Sequence, residues 1–431
     1  MKRNPEAEDE LPEAVRRDVP RNALRLVAAS TLQSSGDQTV KASTVLPWLF
    51  NALGVPAALA GLLVPIRESG SMLPQALLTP IVLRARHRKW VFVSGALVQA
   101  ASVAAMALVA ALGQGLFAGI LILVALAVFS LGRSLCSISS KDVQGRTVPK
   151  GERGQINGLS TTASGIVAIT LGLGLRVLGG DDLSAGQLAW LLVGGAVLWV
   201  LAAWMYSTIR EPADEEDPSD GDGETSTQGW LRRSVALLRD DAPFRHFVIV
   251  RSLLLVSALS PPFIVTRAVS SGAGALSGLG GFVIASGVSA LIAGPLFGRF
   301  ADRSSRTLMA VGAAVSSAVL IVVIILGRLP LFVGPGVAGA VLYVATYFAL
   351  TLMHTGVRMG RKTYIVDMAD GDQRTEYVAV SNSAMGVILL VMGGVSAGLA
   401  ALGVDWALGF LAVLGIIGVI GAMRLPEVSA G

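Results

Sequence analysis

Residues 57–83 read AALAGLLVPIRESGSMLPQALLTPIVL. The stretch is apolar apart from a few polar residues, and its only charges, Arg67 and Glu68, stand side by side near its middle. It is long enough to cross a bilayer, because about 20 residues at ~1.5 Å rise cover a hydrocarbon core of ~30 Å. The preceding apolar stretch carries Asp37 and Lys41 at a similar depth. Each ionisable side chain at mid-membrane costs about 2.5–3.5 kcal/mol on insertion scales. Four of them in two spans must be paired, hydrated or used, which implies a polar site inside a helical bundle.

Composition extends this reading to the whole chain. Of 431 residues, 53% are hydrophobic and 15% charged, against about 25% charged in soluble domains; mean hydropathy is +0.66. Fifty glycines suit close helix packing in lipid. Cys136 is the single cysteine, so no intrachain disulfide forms. The net charge of +5 is spread between spans, which is not the footprint of a nucleic-acid binder. The three histidines, His87, His246 and His354, are far apart and suggest no metal site. The chain has no nucleotide-binding Gly-rich loop and no soluble catalytic domain, so neither enzyme activity nor a cofactor is expected. Residues 1–22 mix Lys, Arg, Glu, Asp and Pro and read as a solvated tail rather than a signal peptide.

Hydropathy gives about twelve spans, at 23–50, 57–83, 90–112, 116–140, 155–178, 186–208, 245–267, 276–300, 307–327, 331–357, 375–402 and 406–424. One set of loops holds Arg84, Arg86, Arg88 and Lys89, then Lys141, Arg146, Lys150 and Arg153, then Arg303 and Arg306, then Arg358, Arg361, Lys362 and Arg374. The opposite loops are nearly free of Lys and Arg, so both termini are expected in the cytoplasm. The loop at 209–244 starts acidic and turn-rich and reads as a linker. Its later part alternates Trp230, Leu231, Val235, Leu237 and Leu238 with Arg232, Arg233 and Arg239. That pattern resembles an amphipathic helix on an anionic leaflet, and an ordinary juxtamembrane segment fits equally well.

The two halves repeat at an offset of 221 residues: Lys141 falls on Lys362, Arg153 on Arg374, Ser160 on Ser381, Ala163 on Ala384, Gly165 on Gly386 and Arg133 on His354. Six spans, a linker and six related spans is a parallel-repeat arrangement, in which substrate lies between the halves.

Gly298-Arg299-Phe300-Ala301-Asp302-Arg303-Ser304-Ser305-Arg306 resembles the signature loop of the major facilitator superfamily, between the second and third helix of a half. The first-half copy, Leu83 to Lys89, keeps the basic residues but has Ala85 where the acid belongs. Arg133-Ser134-Leu135-Cys136-Ser137 resembles the family's fourth-helix Arg motif, and Pro149 to Gly154 its usual start of the fifth helix. The fifth span, Leu159 to Leu175, lacks the Gly-Pro signature of the family's drug–proton exchangers. The resemblance implies an all-α membrane protein of about twelve helices in two six-helix pseudo-repeats. The expected division is a tail at 1–22, halves at 23–208 and 245–424, the linker at 209–244 and a short tail at 425–431. It also implies alternating access, and a cytoplasmic gate of Asp302, Arg303 and Arg306 with Asp302 near Arg153.

The candidate site residues are Asp37, Lys41, Arg67, Glu68, Arg133 and His354. Asp37 and Lys41, four apart, share a helix face, either as a mutually neutralising pair or as a lining pair. Arg67 and Glu68 stand about 100° apart around a helix, so one meets the first span while the other lines the cavity; a purely structural ion pair is the alternative. Pro65, Pro74 and Pro80 surround them and free backbone carbonyls. Arg133 either snorkels or lines the cavity. His354, near Tyr343 and Tyr347, is a proton carrier or a hydrogen-bonded imidazole. Arg251 reads as a headgroup contact, and Pro261-Pro262 as a kink or break. Lys41, Arg67 and Arg133 exceed Asp37 and Glu68 by one positive charge, which complements a small organic anion or zwitterion.

The function expected is secondary transport of a small polar or anionic organic solute, with a proton as candidate co-substrate. Alternatives are an exporter of amphipathic compounds or lipids, and a non-transporting receptor or assembly factor on the same fold. Expected partners are the solute, protons and membrane lipids, with no nucleic acid, no cofactor and no metal. A monomer in a bacterial inner membrane is expected.

Overall fold

The computed structural model describes residues 16–75, 78, 82, 85–148, 153–179, 183–211, 235–273, 278–368 and 373–428, some helical positions by backbone alone. Regular structure among them is helical throughout. The first expected span is two helices, α1 (Val19–Thr39) and α2 (Val45–Ala52). Then follow α3 (Ala57–Met72), α4 (Arg88–Leu112), α5 (Gly115–Thr147), α6 (Arg153–Gly179) and α7 (Ala185–Ser207). The seventh span is three pieces, α8 (Ala242–Leu253), α9 (Val256–Leu259) and α10 (Pro261–Ser270). The rest are α11 (Leu279–Arg303), α12 (Ser305–Leu326), α13 (Val337–Met368), α14 (Gln373–Leu402) and α15 (Val404–Met423).

Eight helical stretches are long and apolar enough to cross a membrane, and Thr162–Val177 and Leu279–Ala293 are shorter apolar helices. The first two expected spans fall short for a physical reason. Asp37, Lys41, Arg67 and Glu68 lower their hydropathy, the first is broken after Thr39, and most of the second beyond residue 75 lies outside the described residues. Large apolar side chains such as Phe117, Val177, Trp190, Trp204 and Trp406 are exposed on the outside, where lipid covers them in a multi-pass membrane protein.

Local chemistry explains several helix ends. Ser184 and Gln187 form a reciprocal capping box at the start of α7. Asp241 accepts from the Phe244 N–H at the start of α8, and Ser304 caps α12. Pro261 and Pro262 fall in the first turn of α10, where a missing N–H is tolerated, so of the kink or break expected there the span has a break, and the double proline starts a new helix.

Helix packing repeats between the halves. In the first, α4 packs on α5 and α7, and α3 on α5; in the second, α12 packs on α13 and α15, and α11 on α13. The halves meet along two equivalent seams, α3 against α14 and α6 against α11. Glycines make the seams close. Gly165 and Gly172 on α6 lie two turns apart, and the 221-residue offset carries them to Gly386 and Gly393 on α14. A Cβ on Gly172 would stand 2.7 Å from Ile284 and one on Gly386 2.7 Å from Leu73, while one on Gly393 would overlap Pro65. Ser69 Oγ also donates to the Gly386 carbonyl at 2.8 Å across the α3–α14 seam.

A carboxylate after the last span of each half holds the start of its third span. Glu211 accepts from the backbone N–H of Arg88 at 3.1 Å and of Lys89 at 2.9 Å, at the positive end of α4. Glu427 accepts from Ser304 Oγ at 2.6 Å and pairs with Arg306 at 3.4 Å at the start of α12. Residues 1–15 and 212–234, which include most of the expected tail and linker, lie outside the described residues. Residues 235–240 of the amphipathic segment are helical, with Val235 exposed.

Candidate functional site

A cavity of about 750 Å³ lies between the halves. The first half contributes Asp37 and Lys41 from the broken first span, Arg67 and Glu68 from α3, and Lys141 from α5. The second contributes Arg251 and Ser257 from the broken seventh span, Asn382 from α14, and His354, Arg358, Arg361 and Lys362 from α13. Broken helices bring non-helical backbone to membrane depth, where it is tolerated if buried in protein or lining a polar cavity such as this one. The cavity reaches the side of the bundle where α5 and α13 end, at Lys141 and Lys362. On the opposite side α2 packs against α10, with Trp48, Leu49, Phe50, Phe263 and Ile264 buried. There Thr44 Oγ1 lies 2.6 Å and Ser43 Oγ 3.3 Å from Tyr347 Oη, joining the halves above the cavity.

Five of the six expected site residues line this cavity, but their partnering differs from the sequence reading. Asp37 does not pair with Lys41. Helix α1 ends at Thr39, so Lys41 falls in the break and leaves the helical face that a spacing of four would share. Asp37 instead accepts from Arg67 Nη2 at 3.0 Å through Oδ1, and from Arg133 Nη1 through Oδ2. Arg67 turns to the first span, and Glu68 faces the cavity with no ion pair among the described residues. Arg133 is the residue not lining the cavity; it is drawn from α5 to Asp37 instead of to the headgroups. His354 Nδ1 stands 3.5 Å from Ser257 Oγ, at the limit of a hydrogen bond.

The expected gate is only partly described. The side chains of Asp302 and Arg153 lie outside the described residues, and Arg303 is exposed. Arg306 pairs with Glu427 and donates to the Leu425 carbonyl at 2.9 Å, so it ties its own half together.

Sequence reasoning missed most of the cationic wall. Lys141, Arg358, Arg361 and Lys362 read as loop residues, yet α5 continues to Thr147 and α13 to Met368. His354, Arg358 and Arg361 follow i, i+4, i+7 spacing, which puts them on one helix face, and the cavity lies against it. That periodicity was the available signal. Arg251 does not reach headgroups. Its Nη1 donates to Ser381 Oγ at 2.7 Å and its Nη2 to Asn382 Oδ1 at 2.8 Å. The lining therefore holds seven cations (Lys41, Arg67, Lys141, Arg251, Arg358, Arg361 and Lys362) against the two carboxylates Asp37 and Glu68.

Comparison with known proteins agrees with this architecture. The Major Facilitator Superfamily family profile matches residues 27–360. No curated protein matches the sequence. Among solved structures, the nucleoside transporter NupG superposes with a TM-score of 0.72 at 13% identity, over 94% of this chain and 99% of that one. A D-xylose–proton symporter gives 0.71 at 11% identity, over 95% and 99%. A POT family transporter in complex with a thioalcohol-conjugated peptide gives 0.67 at 12%, over 93% and 95%. At these identities the likeness is one of fold.

Proposed function

The chain belongs to the major facilitator superfamily, and from that premise we propose that it is a secondary transporter moving a small anionic organic solute by alternating access. The observation that carries this reading is the cavity between the halves, with seven cationic side chains against two acids. A solute bearing negative charge offsets that excess, and Arg holds oxyanions through its planar fork. The neighbouring folds transport nucleosides, xylose and peptides, so the fold accommodates small polar cargo of several kinds.

The cycle follows from the two ends of the cavity. The end at Lys141 and Lys362 admits solute; the end closed by α2 on α10 and by the Thr44–Tyr347 contact blocks its exit. Rocking of the halves about the glycine seams exchanges which end is closed. By the distribution of Lys and Arg the open end faces the cytoplasm. The Asp37–Arg67–Arg133 cluster and Glu68 are the groups through which a proton couples to this motion.

Reconstitution tests the reading. Proteoliposomes should accumulate labelled organic anions, and imposing a pH gradient should change the rate. Absence of flux for every anion that binds the purified protein would remove the transport assignment. Cysteine labelling at Ser184 and Ser219 in intact cells checks the orientation, and reaction of residue 219 from outside would reverse it.

A further inference from the structure

Resting on that reading, the geometry points to a dedicated oxyanion subsite on the second half, built from Arg251, Arg358, Arg361 and Lys362, that takes a solute carrying two or more negative charges. The argument starts from how differently the two halves treat their cations. In the first half Arg67 and Arg133 each have an ion-pair partner within the protein, the shared carboxylate of Asp37. In the second half no acid plays that role among the described residues.

Arg361 is 7% exposed, and its Nε and Nη1 have no hydrogen-bond partner. Arg358, one turn before it on the same helix, and Lys362, the next residue, have no ion pair among the described residues and border the cavity. Arg251 approaches from α8, its guanidinium fixed by Ser381 and Asn382, and its Nε is likewise unpartnered. Like charges so placed repel one another, and a buried guanidinium N–H left unmade carries its full desolvation penalty. The neutral hydroxyl and amide of Ser381 and Asn382 orient Arg251 without cancelling its charge.

The ligand that satisfies such a cluster is an oxyanion with several acceptor lone pairs and more than one charge. A phosphate monoester and a short dicarboxylate share that chemistry. A single carboxylate leaves most of the excess standing. Lys41, in the break of the first span on the opposite wall, is placed to meet the far end of the solute.

Binding to the purified full-length protein tests this. Thermal unfolding and equilibrium titration would use inorganic phosphate, glycerol phosphate, succinate, acetate and uncharged glycerol, at fixed ionic strength set with chloride. Saturable stabilisation by glycerol phosphate, phosphate or succinate is expected, with little from acetate and none from glycerol. Comparing the phosphate and succinate arms identifies which oxyanion is preferred. Arg361→Gln and Arg358→Gln should each weaken that binding about tenfold or more, Arg361→Lys should lose less, and Arg239→Gln, a cation removed far from the cavity, should change nothing. If Arg361→Gln fails to fold, Arg358→Gln, at an exposed cavity position, reads the same site.

Equal stabilisation by acetate or glycerol, no stabilisation by any dianion, or undiminished binding in Arg358→Gln would overturn the subsite. Flux of a neutral solute without dianion binding would sink the subsite and leave transport intact. Dianion binding without flux would do the reverse.

Discussion

Arg67 Nη2 lies 3.0 Å from Asp37 Oδ1, and Arg133 takes the other oxygen of the same carboxylate. One acid in the first span thus bridges two cations from the second and fourth, and one positive charge is left over. All three side chains are largely shielded, with Asp37 at 14% exposure. Removing the acid strands two cations; removing either arginine leaves a one-to-one pair.

Asp37→Asn should therefore be the most damaging single change in the cluster. We expect a loss of about 2 kcal/mol in stability, below the 3–5 kcal/mol of a fully buried pair because water reaches the cavity. Arg67→Gln and Arg133→Gln should each cost less. Thermal unfolding of the three purified variants checks the order, and equal losses would show that the two bridges do not share the acid.

The seam between α3 and α14 gives a neighbouring-residue test. A Cβ on Gly393 would overlap Pro65, whereas one on Gly394 meets nothing within 4 Å. Gly393→Ala should reduce both yield and transport. Gly394→Ala should be neutral, or stabilising by up to about 1 kcal/mol through helix propensity. Transport by Gly393→Ala at the parental rate would show that the seam opens without loss.

The closed end is held in part by the hydroxyl of Tyr347, which Thr44 meets at 2.6 Å. Tyr347→Phe deletes that bond and keeps the ring against Phe282. A loss of about 1 kcal/mol shifts the balance of closed and open forms by a factor of about five. An Ala258→Cys probe, which lines the cavity, should label faster from that side in the Tyr347→Phe background, while the buried native Cys136 stays silent. Unchanged labelling would remove Tyr347 from the closure.

Glu211 holds two backbone N–H groups at the start of α4, where the signature loop has Ala85 in place of an acid. Glu211→Gln should cost about 1 kcal/mol by weakening charge-assisted bonds at a helix N-terminus. Glu427→Gln should cost less, because Ser304 still caps α12. Matched denaturation of the two variants checks the ranking.

Some of this is legible in the sequence alone. Charged residues in apolar stretches announced a polar interior, and the 221-residue offset announced two related halves. Gly165 on Gly386 was one of the repeat matches, but that pair and its companion Gly172 and Gly393 became meaningful as seams only when each faced a helix of the other half. Pro261-Pro262 marked a break in the seventh span. The positive loops were misread at α13, because hydropathy ends a span where cations begin, while the helix itself continues as long as its backbone bonds are made.

The sequence by itself determined the fold class, the repeat and the charges carried by the first two spans, since these depend on residue type and on spacing along one chain. Only the tertiary structure decided who pairs with whom. Asp37 and Lys41 are four residues apart and part company because the helix ends between them. Asp37 and Arg133 are 96 residues apart and meet where α1 and α5 approach each other. An ion pair is chosen by distance in space, and in a helical bundle that distance is set by which faces are brought together, not by how far apart the residues stand in the chain.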